Sequence, residues 1–444
     1  MKSTWTFTSP LGLALLAIAA GSAAQAQAPK LPHYTITDVG TLGGTYSYSY
    51  GINEAGVVSG GAATATDTDG LAEKGFLWNG STMTNVGTIG GSACHDCSSE
   101  AGGPNSSGQS AVVSETPRPA YLNEDFCGFG THRQCLGAVW KNGALKGLPN
   151  LKGGRNGQAY WINKHGQLAG FTETGVLDST CASSVPFQAL QFEAVIWGPQ
   201  GNVRELKPLP GDTVGFAFGI NDKGQVVGAS GVCSNTSLPP ANPGAPHAVL
   251  WESDGTPTNL GSLAGQPFNV ANSINNLGEV NGGALAADGT VHTFLWKRKT
   301  GMQDIGTLPG AIVTVAPCCH TLNNNDEMTG FWIDGDGNMS AFYWKNNVMT
   351  DLNSLISANS GWYLLNTASI NDAGQIAGFG VNPDGEIHAF LATPCLSACE
   401  EQSDPTSAGG QTNRRPMPNV PESVRRFIRQ QMNLARFPQR IAPQ

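Results

Sequence analysis

Short apolar runs alternate with polar turns along most of the chain, and the alternation repeats as a block. "GINEAGVVSG" at 51 returns as "GPNSSGQSAVVS" (103), "WINKHGQLAG" (161), "GINDKGQVVG" (219), "SINNLGEVNG" (273), "TLNNNDEMTG" (321) and "SINDAGQIAG" (369). The aligned asparagines are Asn53, Asn105, Asn163, Asn221, Asn275, Asn323 and Asn371. A second element follows each: "KGFLW", "LGAVW", "EAVIW", "HAVLW", "HTFLW", "SAFYW" and "HAFLA". A third reads "NVGTIGG", "GLPNLKG", "ELKPLPG", "NLGSLAG", "DIGTLPG" and "DLNSLIS". Runs this short, bounded by Gly and Asn, predict strands.

Each repeat therefore reads as four strands, a to d. Strand a ends at the Asn and strand b begins after the Gly. Strand c carries the Trp, and strand d the Asp/Asn-Leu-Gly unit. The Asn side chain caps its own turn, and Gly accepts the left-handed backbone a tight hairpin needs. Repeat six has Asp326 there instead; Asp tolerates that conformation better than most residues. Four-stranded units recurring at roughly 40–50 residues predict a β-propeller. Repeat seven lacks its third element, and the missing copy, "YTITDVGTLGG", stands at residues 34–44. The expectation is an all-β, seven-bladed β-propeller of four-stranded blades over residues 34–394, closed by the N-terminal strand completing the last blade. Closure of that kind leaves no open sheet edge between the termini.

The "HAFL" at 388, "HTFLW" at 292, "HAVLW" at 247, "DVGTLGG" at 38 and the Ile-Asn-Asp-x-Gly-Gln turns resemble those of the extracellular HAF-repeat proteins. The resemblance covers about residues 34–394 and implies an exported repeat protein. It carries no catalytic residue across. The turns are also similar to those of RCC1-type propellers, whose basic surface is absent here.

Composition narrows the picture. The chain has 444 residues with 58 Gly and a net charge of -9, which argues against general nucleic-acid binding. Residues 1–28 read as a signal peptide: Lys2, the apolar "LGLALLAIAAG", then "AQAQA" with cleavage after Ala26. No segment is long enough to span a membrane, so a secreted, extracellular or periplasmic protein is expected. Residues 395–444 form a basic tail with seven Arg and no Lys. Within it, residues 421–437 place Val424, Phe427, Ile428, Leu434 and Ala435 near one helical face. That helix is either a docking element or a contact for an anionic surface or partner.

In a propeller the a–b and c–d turns share one face. Here they are spare. The b–c loops of repeats one to four, at 61–73, 115–135, 172–192 and 229–246, hold most of the non-repeating sequence and mark the opposite face as the working one. Ten Cys in an exported chain read first as disulfides. Cys127 pairs with Cys135, Cys181 with Cys233, and Cys395 with Cys399. Cys94, Cys97, Cys318 and Cys319 lie in two d–a loops with His95 and His320. They read as disulfides, Cys318–Cys319 as a vicinal bridge among them, or as a zinc-type set. Asp334, Asp336 and Asn338 have the alternation of a calcium loop without its distal Glu, or of a plain hairpin turn. No cofactor is otherwise expected. The recurring Trp read as packing between blades. His95, Arg155, Asp212, His320, Trp362 and Tyr363 are the candidates to rim the channel and stack on a sugar or aryl group.

Three functions fit. The favoured one is an exported, non-enzymatic scaffold that binds an extracellular protein or glycan through the elaborated face. The alternative is an extracellular hydrolase or lyase acting on a polymer at the channel mouth; no Ser-His-Asp set, zinc-protease helix or clear carboxylate pair stands out for it. The third is an envelope-associated structural protein.

Overall fold

The computed structural model describes residues 31–66, 72–179, 181, 189–233 and 247–395. The expected signal segment, the tail from 396 with its helix near 421–437, and Cys399 lie outside the described residues. The chain divides into two compact units, Met1–Leu31 and Pro32–Gln444. Leu31 is the one described residue of the first unit, and all seven repeats belong to the second.

Regular structure among the described residues is β throughout, apart from short 3-10 turns. Each repeat folds as four antiparallel strands. In repeat one these are Gly43–Ile52, Val58–Thr64, Lys74–Trp78 and Met83–Asn85. Repeat seven has Tyr363–Ile370, Ile376–Val381 and Ile387–Cys395, and its fourth partner is the N-terminal strand His33–Gly40. No sheet closes on itself; single parallel bridges, Tyr46 with Ile387 and Val291 with Val313, join repeats seven and one and repeats five and six. This is the arrangement of a β-propeller.

The turns show why the pattern repeats. Asn221 Oδ1 accepts from the backbone N–H of Lys223 and of Gln225, both at 3.0 Å. Its Nδ2 donates to the Asn275 carbonyl, one repeat on, at 3.0 Å. Asn53, Asn105, Asn163, Asn275 and Asn323 do the same, and Asn371 Nδ2 reaches back to the Asn53 carbonyl at 3.0 Å. The bonds thus return to where they start. Gly224 stands at φ 75° and Asp326, its counterpart, at φ 57°. Lys297 holds Asp326 at 2.9 Å, so the departure in repeat six is paired as well as tolerated.

The strand b glycines answer a different need. A Cβ on Gly228 would lie 1.9 Å from the Phe216 carbonyl oxygen, and one on Gly282 1.9 Å from that of Val270. Only glycine lets strands a and b approach that closely. The Trp of strand c pack between repeats: Trp197 and Trp251 are fully buried, and each Nε1 donates to a backbone carbonyl at 2.7 Å. The histidine of the "HAF" element ties strand c to strand d. His292 Nδ1 lies 2.7 Å from Asp304, and His388 Nδ1 lies 2.9 Å from Asp38 on the N-terminal strand.

Strand a carries a β-bulge three residues before the Asn in repeats one, two, three, four, five and seven. A bulge re-aims the side chain it carries. The residues there are Tyr50, Gly102, Tyr160, Phe218, Asn272 and Ala368.

Candidate functional site: a carboxylate pair among tyrosines

The chemistry lies where the inner strands meet the b–c and d–a loops. In repeat one "TYSYSYG" puts Tyr46, Tyr48 and Tyr50 on one side of strand a. Tyr46 and Tyr48 lie parallel with centroids 6.4 Å apart, and Tyr50 meets Tyr48 edge-on at 5.4 Å. Repeat two contributes Glu100 from strand a, and the loop before strand c of repeat one contributes Glu73. The Tyr48 hydroxyl contacts both carboxyls: Glu73, and Glu100 Oε1 at 2.8 Å. Tyr46 donates to Glu73 Oε2 at 3.3 Å, and Tyr50 donates to Glu100.

A proton count fixes the state of this pair. The Tyr48 hydroxyl has one hydrogen and two carboxyl partners. One contact is therefore made by a carboxyl proton. Burial, then the Glu100 charge, holds Glu73 well above the usual carboxylate range. Burial raises Glu100 too, against the hydrogen bonds from the tyrosines. Two carboxyls that meet on one hydroxyl share a proton, so the pair carries a single charge between them. Glu73 is buried while Glu100, Tyr46 and Tyr50 remain partly exposed, so the pair opens to solvent on one side.

A second pair behaves otherwise. Glu124, from the long b–c loop of repeat two, faces Glu173 on strand b of repeat three, and both are fully buried. Asn156 Nδ2 donates to Glu124 Oε2 at 3.1 Å and to Glu173 Oε1 at 3.0 Å. Backbone N–H groups complete the set: Ala189 to Glu124 at 2.7 Å, Arg155 and Asn156 to Glu173 at 3.0 and 2.8 Å. Burial and the Glu173 charge push Glu124 up to about 8. This pair is sealed and fully engaged. It straps the loops of repeats two and three together.

Several expected site residues are placed elsewhere. Trp362 and Tyr363 are 7% and 4% exposed and belong to the interior; Trp362 meets Phe390 edge-on. His320 stacks flat on Trp161, centroids 5.0 Å apart, and donates from Nδ1 to the Ile370 carbonyl at 3.0 Å. Burial lowers its pKa. It plugs the inner strands near the asparagine turns instead of facing the loops. Arg155 lies over the Tyr121 ring at 4.2 Å. Asp212 holds Ser230 and His247. His95 is exposed, and its carbonyl accepts from Lys74.

The metal-ligand readings are corrected. Cys94–Cys97 and Cys318–Cys319 are disulfides, which leaves no thiolate to ligate. Cys127–Cys135 and Cys181–Cys233 are bridged as expected. Asp334 Oδ1 caps its own turn, accepting from Asp336 and Asn338 N–H at 3.0 and 2.8 Å, and Asn338 Nδ2 takes Oδ2 at 3.0 Å. With Asp336 and Asn338 it forms a hairpin turn, not a calcium loop. Among the described residues no helix is long and apolar enough to cross a membrane.

No protein-family model matches the chain, and no curated protein does. Solved structures do. A mutant of puromycin hydrolase complexed with PGG superposes with a TM-score of 0.52 at 10% identity, over 82% of this chain and 55% of its own. The Pyrococcus horikoshii acylaminoacyl peptidase gives 0.46 at 12%, over 80% and 52%. The β-propeller domain of the Trilobed protease from Pyrococcus furiosus gives 0.44 at 10%, over 81% and 100%. The chain spans about half the length of the hydrolase and peptidase chains it matches. The hydrolase neighbour runs against the expectation of a non-enzymatic binding scaffold. The likeness is one of fold. The chemistry has to come from this chain's own residues.

The carboxylate pair was missed in the sequence because Glu73 and Glu100 are 27 residues apart and belong to different repeats. A signal was present. Five residues before the turn Asn, the repeats carry Tyr48, Glu100, Gln158, Phe216, Val270, Cys318 and Asn366. Glu100 is the one acid at that inner position.

Proposed function

We propose that this protein is an exported hydrolase of amide or ester bonds, with the Glu73–Glu100 pair as its active site on a closed, seven-bladed propeller. The observation that carries the reading is a proton-sharing carboxyl pair open to solvent on one side. Glu100 takes a proton from a water molecule as the water oxygen attacks the acyl carbon. Glu73 gives its proton to the acyl oxygen. On collapse that proton returns to Glu73, the amine or alcohol leaves with the proton held by Glu100, and both carboxyls regain their starting states. Glycoside chemistry fits less well. Its two carboxyls flank a sugar at about 5 Å or more, whereas these two meet on a single tyrosine hydroxyl.

The hydrogen bonds returning from Asn371 to Asn53, and the pairing of His33–Gly40 with Ile387–Cys395, support seven blades and closure. The four bridges support an oxidising compartment, and with the HAF-type repeat they support export. The test is hydrolysis of a panel of chromogenic amides and esters by the mature protein. Glu100→Gln and Glu73→Gln are each expected to lower kcat/KM by about 10²–10⁴ with circular dichroism unchanged. Turnover that survives both substitutions, or no turnover across the panel, overturns the reading.

A further inference from the structure

The charge on the Glu73–Glu100 pair is held in an unusual way. Among the described residues neither carboxyl makes an ion pair, and neither accepts from a backbone N–H; their hydrogen-bond partners are tyrosine hydroxyls. Lys74, next in sequence, turns its ammonium to the carbonyls of Ala72 and His95 at 3.2 and 3.3 Å and to that of Cys97. The Glu124–Glu173 pair shows the usual solution, with three backbone N–H groups and an amide around the charge. Buried charges are as a rule paired. The open pair lacks a counter-charge that the sealed pair does not need.

The walls beside it are aromatic. At the bulge position repeats one, three and four present Tyr50, Tyr160 and Phe218, all partly exposed. Tyr160 and Phe218 meet edge-on at 5.3 Å. Between Tyr50 and Tyr160, repeat two places Gly102, with no side chain; a Cβ there would lie 2.1 Å from the Tyr160 carbonyl oxygen. Two rings therefore stand either side of bare, partly exposed backbone. Glu100 lies two residues along the same strand.

We propose that this slot recognises a cationic group, an ammonium or guanidinium, held between Tyr50 and Tyr160 beside Glu100, so that the substrates are basic ones. The proposal rests on the hydrolase reading only for what happens after binding. A cation over an aromatic face is attracted to it, more strongly when desolvated, and it supplies the counter-charge that the carboxyl pair lacks. The net charge of -9 draws cations toward the molecule at low salt.

The experiment compares benzylammonium with its neutral counterpart benzyl alcohol by calorimetry on the mature full chain. Benzylammonium is expected to bind about tenfold or more tighter. Glu100→Gln should remove the difference, and Tyr160→Leu should weaken benzylammonium several-fold. Wild-type protein supplies a check that needs no variant: raising salt from about 0.02 to 0.5 M should weaken benzylammonium and leave benzyl alcohol unchanged. Equal affinity for the two probes, or a preference that survives both Glu100→Gln and high salt, overturns the proposal; the former points to a neutral aryl or sugar ligand. Because binding is read directly, the two readings fail separately. Cation preference without turnover sinks only the hydrolase. Turnover lost in Glu100→Gln without cation preference sinks only the basic substrate.

Discussion

The two ends of the inner strands are built by opposite rules. At the asparagine-turn end every repeat does the same thing. A side-chain amide caps its own hairpin and donates to the next repeat, and the residue types hardly vary. At the loop end the repeats differ. Repeat one brings three tyrosines, repeat two a glycine and two acids, repeat five an asparagine. The uniform end holds neighbouring repeats together, and the varied end is then free to be chemically specific. At the first end the turn asparagines use both their amide oxygen and their amide nitrogen in hydrogen bonds. At the second, a charge is left facing solvent among aromatic rings.

The largest effect that tests this contrast is on stability. Asn221→Ala removes the acceptor for two N–H groups and the donor for the Asn275 carbonyl in a site 3% exposed. At roughly 1 kcal/mol for each buried hydrogen bond lost, the expected cost is about 3 kcal/mol, read by chemical denaturation. Tyr160→Leu at the loop end should cost clearly less and act on ligand binding. Asn221→Ala below about 1 kcal/mol would mean that the turns are local features and that the returning bonds hold nothing together.

Legibility in the sequence follows the same division. Hairpins, strand order and the pairing of the N-terminal strand with repeat seven were readable because one physical problem, capping a tight turn and joining it to the next, is solved by the same residues each time. Cys127–Cys135 and Cys181–Cys233 were readable because each pair occupies one loop or two comparable loops. The Glu73–Glu100 pair was not, because the two residues come together only through the contact between repeats one and two. Trp362 and Tyr363 misled for the converse reason. Falling outside the repeat, they looked like surface residues, yet they fill space that the repeat leaves unspecified.

A middle-sized effect separates the two carboxyl pairs. Glu124 is raised to about 8 against an ordinary 4.5. The folded protein therefore holds a proton that the unfolded chain releases, and stability falls as pH rises from about 4.5 to 8. The contribution to the slope is at most about 1.4 kcal/mol per pH unit. Glu124→Gln should flatten that limb while leaving kcat/KM within about twofold, since the strap is sealed away from the open pair. If the limb stays and activity falls, the roles of the two pairs are reversed.

The smallest effect concerns the N-terminal strand. Burial opposes a charge on His388, but Asp38 and Glu386 outweigh it and raise its pKa above 6.5. Burial likewise raises Asp38, while His388 and the Gly40 N–H more than offset this and bring it below 3.8. A raised histidine stabilises fully below 6.5 and loses that contribution as pH climbs through its folded value. A lowered aspartate stabilises above 3.8 and loses it as pH falls through its own. The pair therefore contributes most between about pH 4 and 6.5, by roughly 0.5–1 kcal/mol. His388→Asn should lower Tm in that window and converge on wild type as pH climbs past the raised folded pKa of His388. His292→Asn breaks the same contact, His292 to Asp304, within one repeat and is the control. If the N-terminal strand acts as the latch of the molecule, His388→Asn will also speed hydrogen exchange across 33–40, and His292→Asn will not. Equal exchange in the two variants would show that this strand is held by its backbone pairing with 387–395 alone.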